Sequence, residues 1–398
     1  MSACLLANST APAAPAILTG ELNKVIAEFH RGGLELVDNI AGEWRALCAA
    51  TDSAPFHHPE WVVAYLRAFA PSAVVRLLTV RADGGLCGVL PMTEESSFYG
   101  LPARVLRGAS NVHSIRFDLV VGAGQAETAI GATWSRLKAM NDWDVLEFKD
   151  VPVGGAAEQL LARAVADGYL IGQWKTDSTP QVSLCGASDA LQVIPSGRFR
   201  RDLRRNIRHA HEKWHVELCR ADSASPEQLR QFYELEMSGW KGRQKTAIAL
   251  HPATQLFYDE IAKSTSSLGY FSLYLLHFDG VPVAGHFGLT YRGRYYAPKV
   301  AYDEQYAGVA PGHMLVEAVL RDCIARGVTL YDTLGSSAPW KLKWTSTTRD
   351  HAHCYIFAKS AYGGILHLVR CGAMAKLRSV RRHPLLTNLE ARLRQACE

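Results

Sequence analysis

Hydrophobic residues recur along the chain with two different spacings, one typical of strands and one typical of helices. The order of strands and helices that these spacings predict occurs twice. Apolar residues recur at every second position in short stretches, and at every third or fourth position in the stretches between them. Each half therefore reads strand, helix, helix, strand, Asp-Gly turn, strand, strand, helix, strand. The repeat predicts two α+β units of roughly 150 residues, a usual length for one domain.

The pattern places the elements of the first half as follows. Strands are expected near 34–37, 74–80, 86–92, 105, 117–121, 144–148 and 181–184. Helices are expected over 40–50, from Pro59 onward, over 127–140 and over 156–167. Pro59 suits a first helical turn because its missing N–H would be unpaired there.

The second half repeats this order. Strands are expected over 216–219, 270–277, 281–291, 295–302, 328–333 and 352–359. Helices are expected after Ser225, where Ser-Pro-Glu-Gln is a capping-box pattern, and over 253–264 and 311–326. The domains predicted from both halves are a mobile leader (1–30), an N-terminal domain (31–190), a C-terminal domain (191–362) and a basic helical tail (363–398).

Composition narrows the class of protein. The 398 residues are 48% hydrophobic and 20% charged, which is typical of a globular chain. No apolar run approaches the ~18–20 residues of a membrane-spanning helix. The nine cysteines are scattered without a Cys-x-x-Cys pair. They argue against a disulfide framework and a metal site, and favour a cytoplasmic protein.

Charge is concentrated in one segment. Between Arg198 and Lys213 there are seven basic and two acidic residues, an excess of +5 that equals the net charge of the whole chain. Phe199, Leu203 and Ile207 recur there at helical spacing. One interpretation is nucleic-acid binding through phosphate neutralisation. The alternative, which we favour, is an inter-domain helix whose arginines face acidic groups, an anionic substrate or solvent.

The strand-to-helix junction at Gln305-x-x-Gly308-x-Ala310 is the most informative motif. Small residues there allow a ligand to approach the backbone, and the free N–H groups of a first helical turn suit a pyrophosphate. The alternative is that the glycine and the following proline serve turn geometry alone.

Three further residues are candidates for chemistry. His286 lies on the 281–291 strand between the small residues Ala284 and Gly288, which we expect to leave space for a substrate, and a neutral imidazole can accept an amine proton. Asp332 ends a predicted buried strand, where a carboxylate needs a partner, and the following loop can return Lys341 to it. The alternative for Asp332 and Lys341 is a structural ion pair.

These motifs together resemble the GNAT N-acyltransferase superfamily, in its CelD-like and FemAB-related branch of two tandem GNAT folds. Gln305–Ala310 is similar to the acyl-CoA pyrophosphate loop of that family. The Pro59-Glu-Trp61 helix start, the Asp332-x-x-Gly335 turn and the Trp340-Lys341 pair extend the likeness over roughly residues 35–365. Trp340 replaces a common tyrosine of the family and cannot donate a phenolic proton.

The resemblance implies two tandem GNAT folds with mixed central sheets flanked by helices, of which the N-terminal one is degenerate. It implies an acyl-CoA-dependent N-acyltransferase that uses acetyl-CoA or a longer acyl-CoA, no metal, and an amine or sugar acceptor linked to polysaccharide or envelope synthesis. The alternatives are a FemAB-type transferase that uses aminoacyl-tRNA, and a non-catalytic nucleic-acid or partner-binding protein.

The resemblance also assigns roles to residues. His286, Asp332 and Lys341 are the candidate catalytic residues, and Trp340 and Lys343 are the candidate substrate-binding residues. The candidate acyl-CoA-binding residues are Tyr302, Gln305, Gly308, Val309, Ala310, Gly312 and His313.

Overall fold

The computed structural model describes residues 24–176 and 178–373, and its elements follow the two predicted halves. The strands are β1 (Val25–Gly32), β2 (Val75–Ala82), β3 (Gly85–Phe98), β4 (Leu101–Gly108), β5 (Val120–Val121), β6 (Val145–Pro152), β7 (Leu170–Lys175), β8 (Thr179–Ser183), β9 (Val216–Ala221), β10 (Phe271–Phe278), β11 (Val281–Tyr291), β12 (Arg294–Tyr302), β13 (Leu330–Asp332), β14 (Thr348–Arg349) and β15 (His351–Phe357).

The α-helices are α1 (Glu35–Ala49), α2 (Pro59–Phe69), α3 (Ala126–Met140), α4 (Ala156–Ala166), α5 (Gly197–Lys213), α6 (Pro226–Ser238), α7 (Trp240–Arg243), α8 (Pro252–Ser267), α9 (Pro311–Ala325), α10 (Pro339–Leu342) and α11 (Ala361–His367). Short 3₁₀ helices cover Pro55–His57, Ala190–Val193, Ile248–Leu250 and Glu304–Val309, and a π-helix covers Leu368–Ala373.

The strands form two mixed sheets with the same internal plan. The first has the order β1-β2-β3-β4-β6-β15-β7, with β5 beside β3, and the second has the order β9-β10-β11-β12-β13-β8-β14. In each sheet the first four strands are antiparallel, the fifth is parallel to the fourth, and the last two are again antiparallel. The α+β class, with two mixed sheets flanked by helices, is confirmed.

The two halves exchange one strand each. β8, which ends the first half, lies in the second sheet between β13 and β14. β15, which ends the second half, lies in the first sheet between β6 and β7. The predicted boundary between residues 190 and 191 therefore does not separate the sheets. Local periodicity identifies a strand but carries no information about a partner so distant in sequence.

The beginning of the first half differs from the prediction. The strand expected near 34–37 is the start of α1, which buries Val37, Ala41 and Trp44 at a spacing of three or four residues. The strand lies earlier, at β1, where residues 25–30 of the expected leader pair with β2. β7, which the pattern did not predict, forms the edge of the first sheet.

The predicted leader and the predicted tail each lie partly outside the described residues. Residues 1–23 of the expected leader lie outside the described residues. The tail expected over 363–398 is helical as far as Ala373, through α11 and the π-helix, and residues 374–398 again lie outside the described part.

Aromatic side chains from both halves form one shared core. Phe56 and Trp61 of the first half contact each other edge to face with ring centroids 4.8 Å apart. Trp61 also contacts Phe257 of α8 at 5.5 Å, and Phe56 contacts Tyr296 of β12 at 5.5 Å. Since aromatic residues bury large areas in such contacts, this cluster holds the two halves in a fixed relation.

A buried ion pair joins the halves where the exchanged strands pass. Arg116 donates through Nη2 to Asp332 Oδ2 at 2.6 Å, and both side chains are almost wholly buried. Gln181 of β8 donates to the same oxygen at 2.6 Å. Arg116 Nε donates to Nε2 of His351, the first residue of β15, at 3.1 Å. The network thus contacts both exchanged strands.

We expect Asp332→Ala to lower the free energy of unfolding by about 3–5 kcal/mol, because it leaves the buried Arg116 charge without a partner. Asp52→Ala is the matched control, since Asp52 pairs with Arg294 at the exposed surface and its loss costs about 1 kcal/mol or less. Urea denaturation of both variants measures the difference. Equal destabilisation by the two substitutions would contradict a structural role for the buried pair.

Candidate functional site

A gap opens in the second sheet where β12 leaves its parallel neighbour. β12 and β13 pair only over Arg294–Tyr296 and Leu330–Asp332. Beyond that point, β12 continues to Tyr302 without a paired strand on this side. A bulge occurs at the same place, where Ala297 and Pro298 stand opposite Gly288 of β11. A bulge of this kind bends the strand and re-aims its side chains, which separates β12 from β13.

A cavity of ≈ 430 Å³ lies at one side of this gap. It is bounded by β11, the end of β12, the start of α9 and the loop before it, with α7 and α10 at its rim. The lining residues are Trp240, Lys241, His286, Val300, Ala301, Tyr302, Ala307, Ala310, Gly312, His313, Val316, Ala338 and Trp340. We call it the donor cavity, since it contains the loop predicted to bind a pyrophosphate.

His286 lines the donor cavity, but its surroundings differ from the expectation. It is 2% exposed, and its Nδ1 is buried without a hydrogen-bond partner among the described residues. Burial, with a further contribution from Lys241, lowers the pKa of His286 to about 3. The space expected beside it at Gly288 is filled, because a Cβ on Gly288 would lie 2.0 Å from Tyr295 Oη. The cavity, not the small neighbours, gives the imidazole access to a ligand.

The Gln305–Ala310 motif forms the turn into α9. Residues Glu304–Val309 form a 3₁₀ helix, and Ala310 follows in the left-handed conformation with φ 54°. A Cβ on Gly308 would meet nothing within 4 Å, so this position faces open space. Gly312 packs under Tyr302, whose ring would lie 3.4 Å from a Cβ there.

Two of the candidate donor-binding side chains serve the structure. Val309 is 4% exposed and belongs to the core under α9, so only its backbone is available to a ligand. His313 lines the cavity with its ring and accepts a hydrogen bond from Trp344 Nε1 at 3.1 Å. Burial, followed by the charge of Lys343, lowers the pKa of His313 to about 4.

The described hydrogen bonds of Asp332 and Lys341 go to different groups. Asp332 binds Arg116 and Gln181, as described above. Lys341 Nζ donates to the carbonyl oxygens of Leu334 and, at 3.0 Å, Ser336. The lysine thus fixes the loop after β13, and Asp332 is committed to the contact between the halves.

The two candidate substrate-binding residues lie in different places. Trp340 borders the donor cavity and a second cavity described below. Lys343 is exposed and lies over the ring of Phe199 on α5, 5.4 Å from its centroid, and it is not among the lining residues of either cavity.

The second cavity, of ≈ 230 Å³, lies between the two halves. Residues 112–115 of the first half, Tyr258 of α8, residues 297–300 of β12 and the loop after β13 enclose it. The lining residues are Val112, His113, Ile115, Lys241, Tyr258, Ala297, Pro298, Lys299, Val300, Thr333, Leu334, Gly335, Trp340 and Lys341. We call it the acceptor cavity. It shares Lys241, Val300 and Trp340 with the donor cavity, so the two spaces meet at β12.

Sequence reasoning missed Lys241, Lys299 and His113 because none of them belongs to a motif. Lys241 is held in place by Glu236 Oε1 at 2.6 Å and by the Val300 carbonyl at 2.7 Å. Burial lowers the pKa of Lys299 to about 8 and that of His113 to about 4. A lysine inside an otherwise apolar strand was the one available signal for Lys299.

The basic segment forms the helix α5, which packs beside the donor cavity. Phe199 contacts His313 with ring centroids 4.9 Å apart, and Trp214 contacts Tyr306 of the loop before α9 at 5.6 Å. Arg205 and Arg208 are 66% and 74% exposed. The prediction of a helix with an apolar face and exposed arginines is confirmed.

Residues 197–342 match the family model described as acetyltransferase (GNAT) domain. The protein carries a GNAT acetyltransferase domain. This segment runs from α5 to α10 and contains the gap, the donor cavity and the Gln305–Ala310 loop. The resemblance to the CelD-like GNAT acyltransferases is therefore confirmed, and the GNAT family implies a donor of the acyl-CoA type.

The chain as a whole is similar in fold to several solved structures. "Crystal structure of FemX" matches at 13% identity over 86% of this chain and 99% of that one, with a TM-score of 0.58. The C-terminal domain of a putative lysylphosphatidylglycerol synthetase from Agrobacterium fabrum matches at 11% identity over 83% and 95%, with a TM-score of 0.50. A tandem GNAT protein from the clavulanic acid biosynthesis pathway matches at 18% identity over 84% and 100%, with a TM-score of 0.47.

No curated protein matches the sequence. Across residues 24–176 and 178–373, no group of three or more His, Cys, Asp or Glu side chains is arranged to hold a metal ion. Within the same residues, no helix combines the length and the apolar character needed to cross a bilayer.

Proposed function

We propose that the protein transfers an acyl group from acetyl-CoA or a longer acyl-CoA to the amine of a small molecule or glycan precursor. The observation that carries the proposal is the meeting of the donor and acceptor cavities at Val300, in the gap between β12 and β13. Two substrates bound from the two cavities would face each other across one strand. Such a geometry suits direct transfer without a covalent enzyme intermediate.

The donor side is the cavity beneath α9. The Gln305–Ala310 turn faces open space at Gly308 and leads directly into the start of α9, which makes this a suitable place for a pyrophosphate. Tyr302 and Gly312 form the adjoining wall, and α5 lies alongside with its exposed arginines. When acyl-CoA is bound, its thioester supplies the activated acyl carbon.

The chain's own groups would assist the transfer at β12. Backbone N–H groups of β12 beyond Tyr296 have no paired strand on the β13 side, so they are available to the thioester carbonyl oxygen. His286 lines the donor cavity and its Nδ1 has no partner among the described residues, so this nitrogen is available to the attacking amine. Lys241 and Trp340 would order the two substrates where the cavities meet.

The aminoacyl-tRNA alternative draws support from α5. Its arginines form an exposed array beside the donor cavity, where the acceptor end of a tRNA would have to lie. The similarity to FemX concerns the fold alone and adds no weight on substrate. A CoA derivative also carries phosphates, so the same arginines are compatible with either donor, and the two donors are separated by experiment.

We expect Gly308→Asp to abolish CoA binding, because it adds a side chain and a negative charge where a phosphate must approach. The fold should be retained, since Gly308 faces open space. Gly42→Asp, at another exposed glycine with nothing within 4 Å of its Cβ, is the control. Titration calorimetry with CoA measures both variants. An unchanged affinity of Gly308→Asp for CoA would contradict the assignment of the Gln305–Ala310 loop as the pyrophosphate-binding loop.

His286→Ala is expected to lower the turnover rate by roughly 100-fold or more, the scale for loss of a positioned base. Since the pKa of His286 is about 3, the imidazole stays unprotonated at every pH above about 5. The activity of the wild-type protein should therefore show no acid limb near pH 6.5. Near-normal turnover in His286→Ala, or an acid limb near pH 6.5 that this substitution removes, would contradict the assignment.

Replacing Arg201, Arg204, Arg205 and Arg208 with Gln tests the alternative donor. We expect the wild-type protein to bind tRNA weakly, with a salt dependence that flattens in the variant, because nonspecific binding arises from phosphate contacts. Filter binding over a range of salt concentrations gives the slope. Tight tRNA binding at physiological salt, lost in the variant, would favour the aminoacyl-tRNA-dependent reaction.

A further inference from the structure

Lys299 is a cation without a bonded partner inside the acceptor cavity. It lies on β12 just after the bulge, is partly buried and lines the cavity wall. Among the described residues, no carboxylate or carbonyl oxygen bonds its Nζ. Its described contact is with the ring of Tyr258, whose centroid lies 5.3 Å away.

The other two lysines of the cavity are committed to the protein. Lys241 binds Glu236 and the Val300 carbonyl, and Lys341 binds carbonyl oxygens of its own loop. Glu236 is itself fully used, since its second oxygen accepts the Ile248 N–H at 2.8 Å. Among the described residues, three lysine side chains line the cavity, and the Glu236 carboxylate that binds Lys241 is already occupied.

A partly buried ammonium group without a bonded partner carries a desolvation cost, and an anion that supplies the missing hydrogen bonds offsets this cost. We infer that the acceptor is a small amine that also carries a carboxylate or phosphate, and that Lys299 binds this oxyanion. The inference rests on the proposed function, since it names the class of acceptor for the same reaction. The volume of ≈ 230 Å³ is below the range of about 300–1,000 Å³ for drug-sized ligands and limits the part of the acceptor that enters to a small group.

The electrostatic surroundings of Lys299 give the inference a pH dependence. Burial and the charge of Lys241 lower the pKa of Lys299 to about 8, against the opposing effect of Glu236. The other titratable groups that line the cavity are Lys341, Tyr258 and His113. Burial raises the pKa of Tyr258 and lowers that of His113, so both are neutral near pH 7. Oxyanion binding should therefore weaken above pH 8, where Lys299 loses its proton, instead of near pH 10.

The experiment compares matched acceptors with acetyl-CoA as the donor. The pairs are β-alanine and β-alaninamide, phosphoethanolamine and ethanolamine, and glucosamine 6-phosphate and glucosamine. Release of free CoA thiol is measured for the wild type, Lys299→Met, Lys299→Arg and the exposed control Lys263→Met. The three pairs distinguish a carboxylate from a phosphate acceptor. Calorimetric binding of the three oxyanions and, separately, of acetyl-CoA is measured on the same proteins.

We expect the anionic member of at least one pair to have a kcat/KM about 10-fold or more above its neutral partner. Lys299→Met should lower that kcat/KM by about 10–100-fold, mainly through KM, and leave the neutral partner unchanged, whereas Lys299→Arg should retain most of the preference. Lys263→Met should behave as the wild type.

Three outcomes would overturn the inference. They are a wild-type preference for the neutral amines, an equal loss with both members of a pair in Lys299→Met, and the absence of oxyanion binding to the wild type. Failure of acetyl-CoA to bind would count against the proposed function instead. Because oxyanion binding is measured without a donor, it tests the role of Lys299 even in that case.

Discussion

The buried pair of Arg116 and Asp332 is the constraint on which the arrangement of the two halves depends. A charge pair removed from water is stable only when its remaining hydrogen-bonding groups are satisfied. The Gln181 side chain and the Leu334 N–H donate to the Asp332 carboxylate, and His351 accepts a hydrogen bond from the Arg116 guanidinium. These partners belong to β8, β15 and the loop after β13. One ion pair therefore fixes the strands that each half lends to the other and the loop that closes the acceptor cavity.

The site follows from this arrangement together with the bulge in β12. The bulge carries β12 away from β13, and the first half covers the resulting opening from the far side. The donor cavity needs only the GNAT domain, whereas the acceptor cavity is closed by residues 112–115 of the other half. The first half can therefore contribute to the reaction that we propose through the acceptor cavity, without a pyrophosphate loop of its own.

Features encoded by local sequence could be predicted, and features that depend on distant contacts could not. Pro59 and Ser225 begin their helices as expected, and the Ser225 hydroxyl accepts the Gln228 N–H at 3.1 Å. The conformation of the turn at Gln305–Ala310 is likewise determined by residues that are close together in sequence. By contrast, Asp332 was matched with Lys341 because they are close in sequence, while its partner Arg116 lies 216 positions away. Lys299 was overlooked for the same reason, since its importance comes from a cavity built by both halves.

The exchange of β8 and β15 has a consequence for how the chain folds while it is being synthesised. During synthesis the first half leaves the ribosome with a slot in its sheet, between β6 and β7, that only β15 fills. β8 meanwhile exposes its unpaired edge until β13 is made, roughly 150 residues later. Neither sheet can close before nearly the whole chain has emerged, so the nascent chain carries open strand edges throughout, the condition under which chaperones are most needed. Completion of the two sheets therefore requires β13 and β15, both of which are made late.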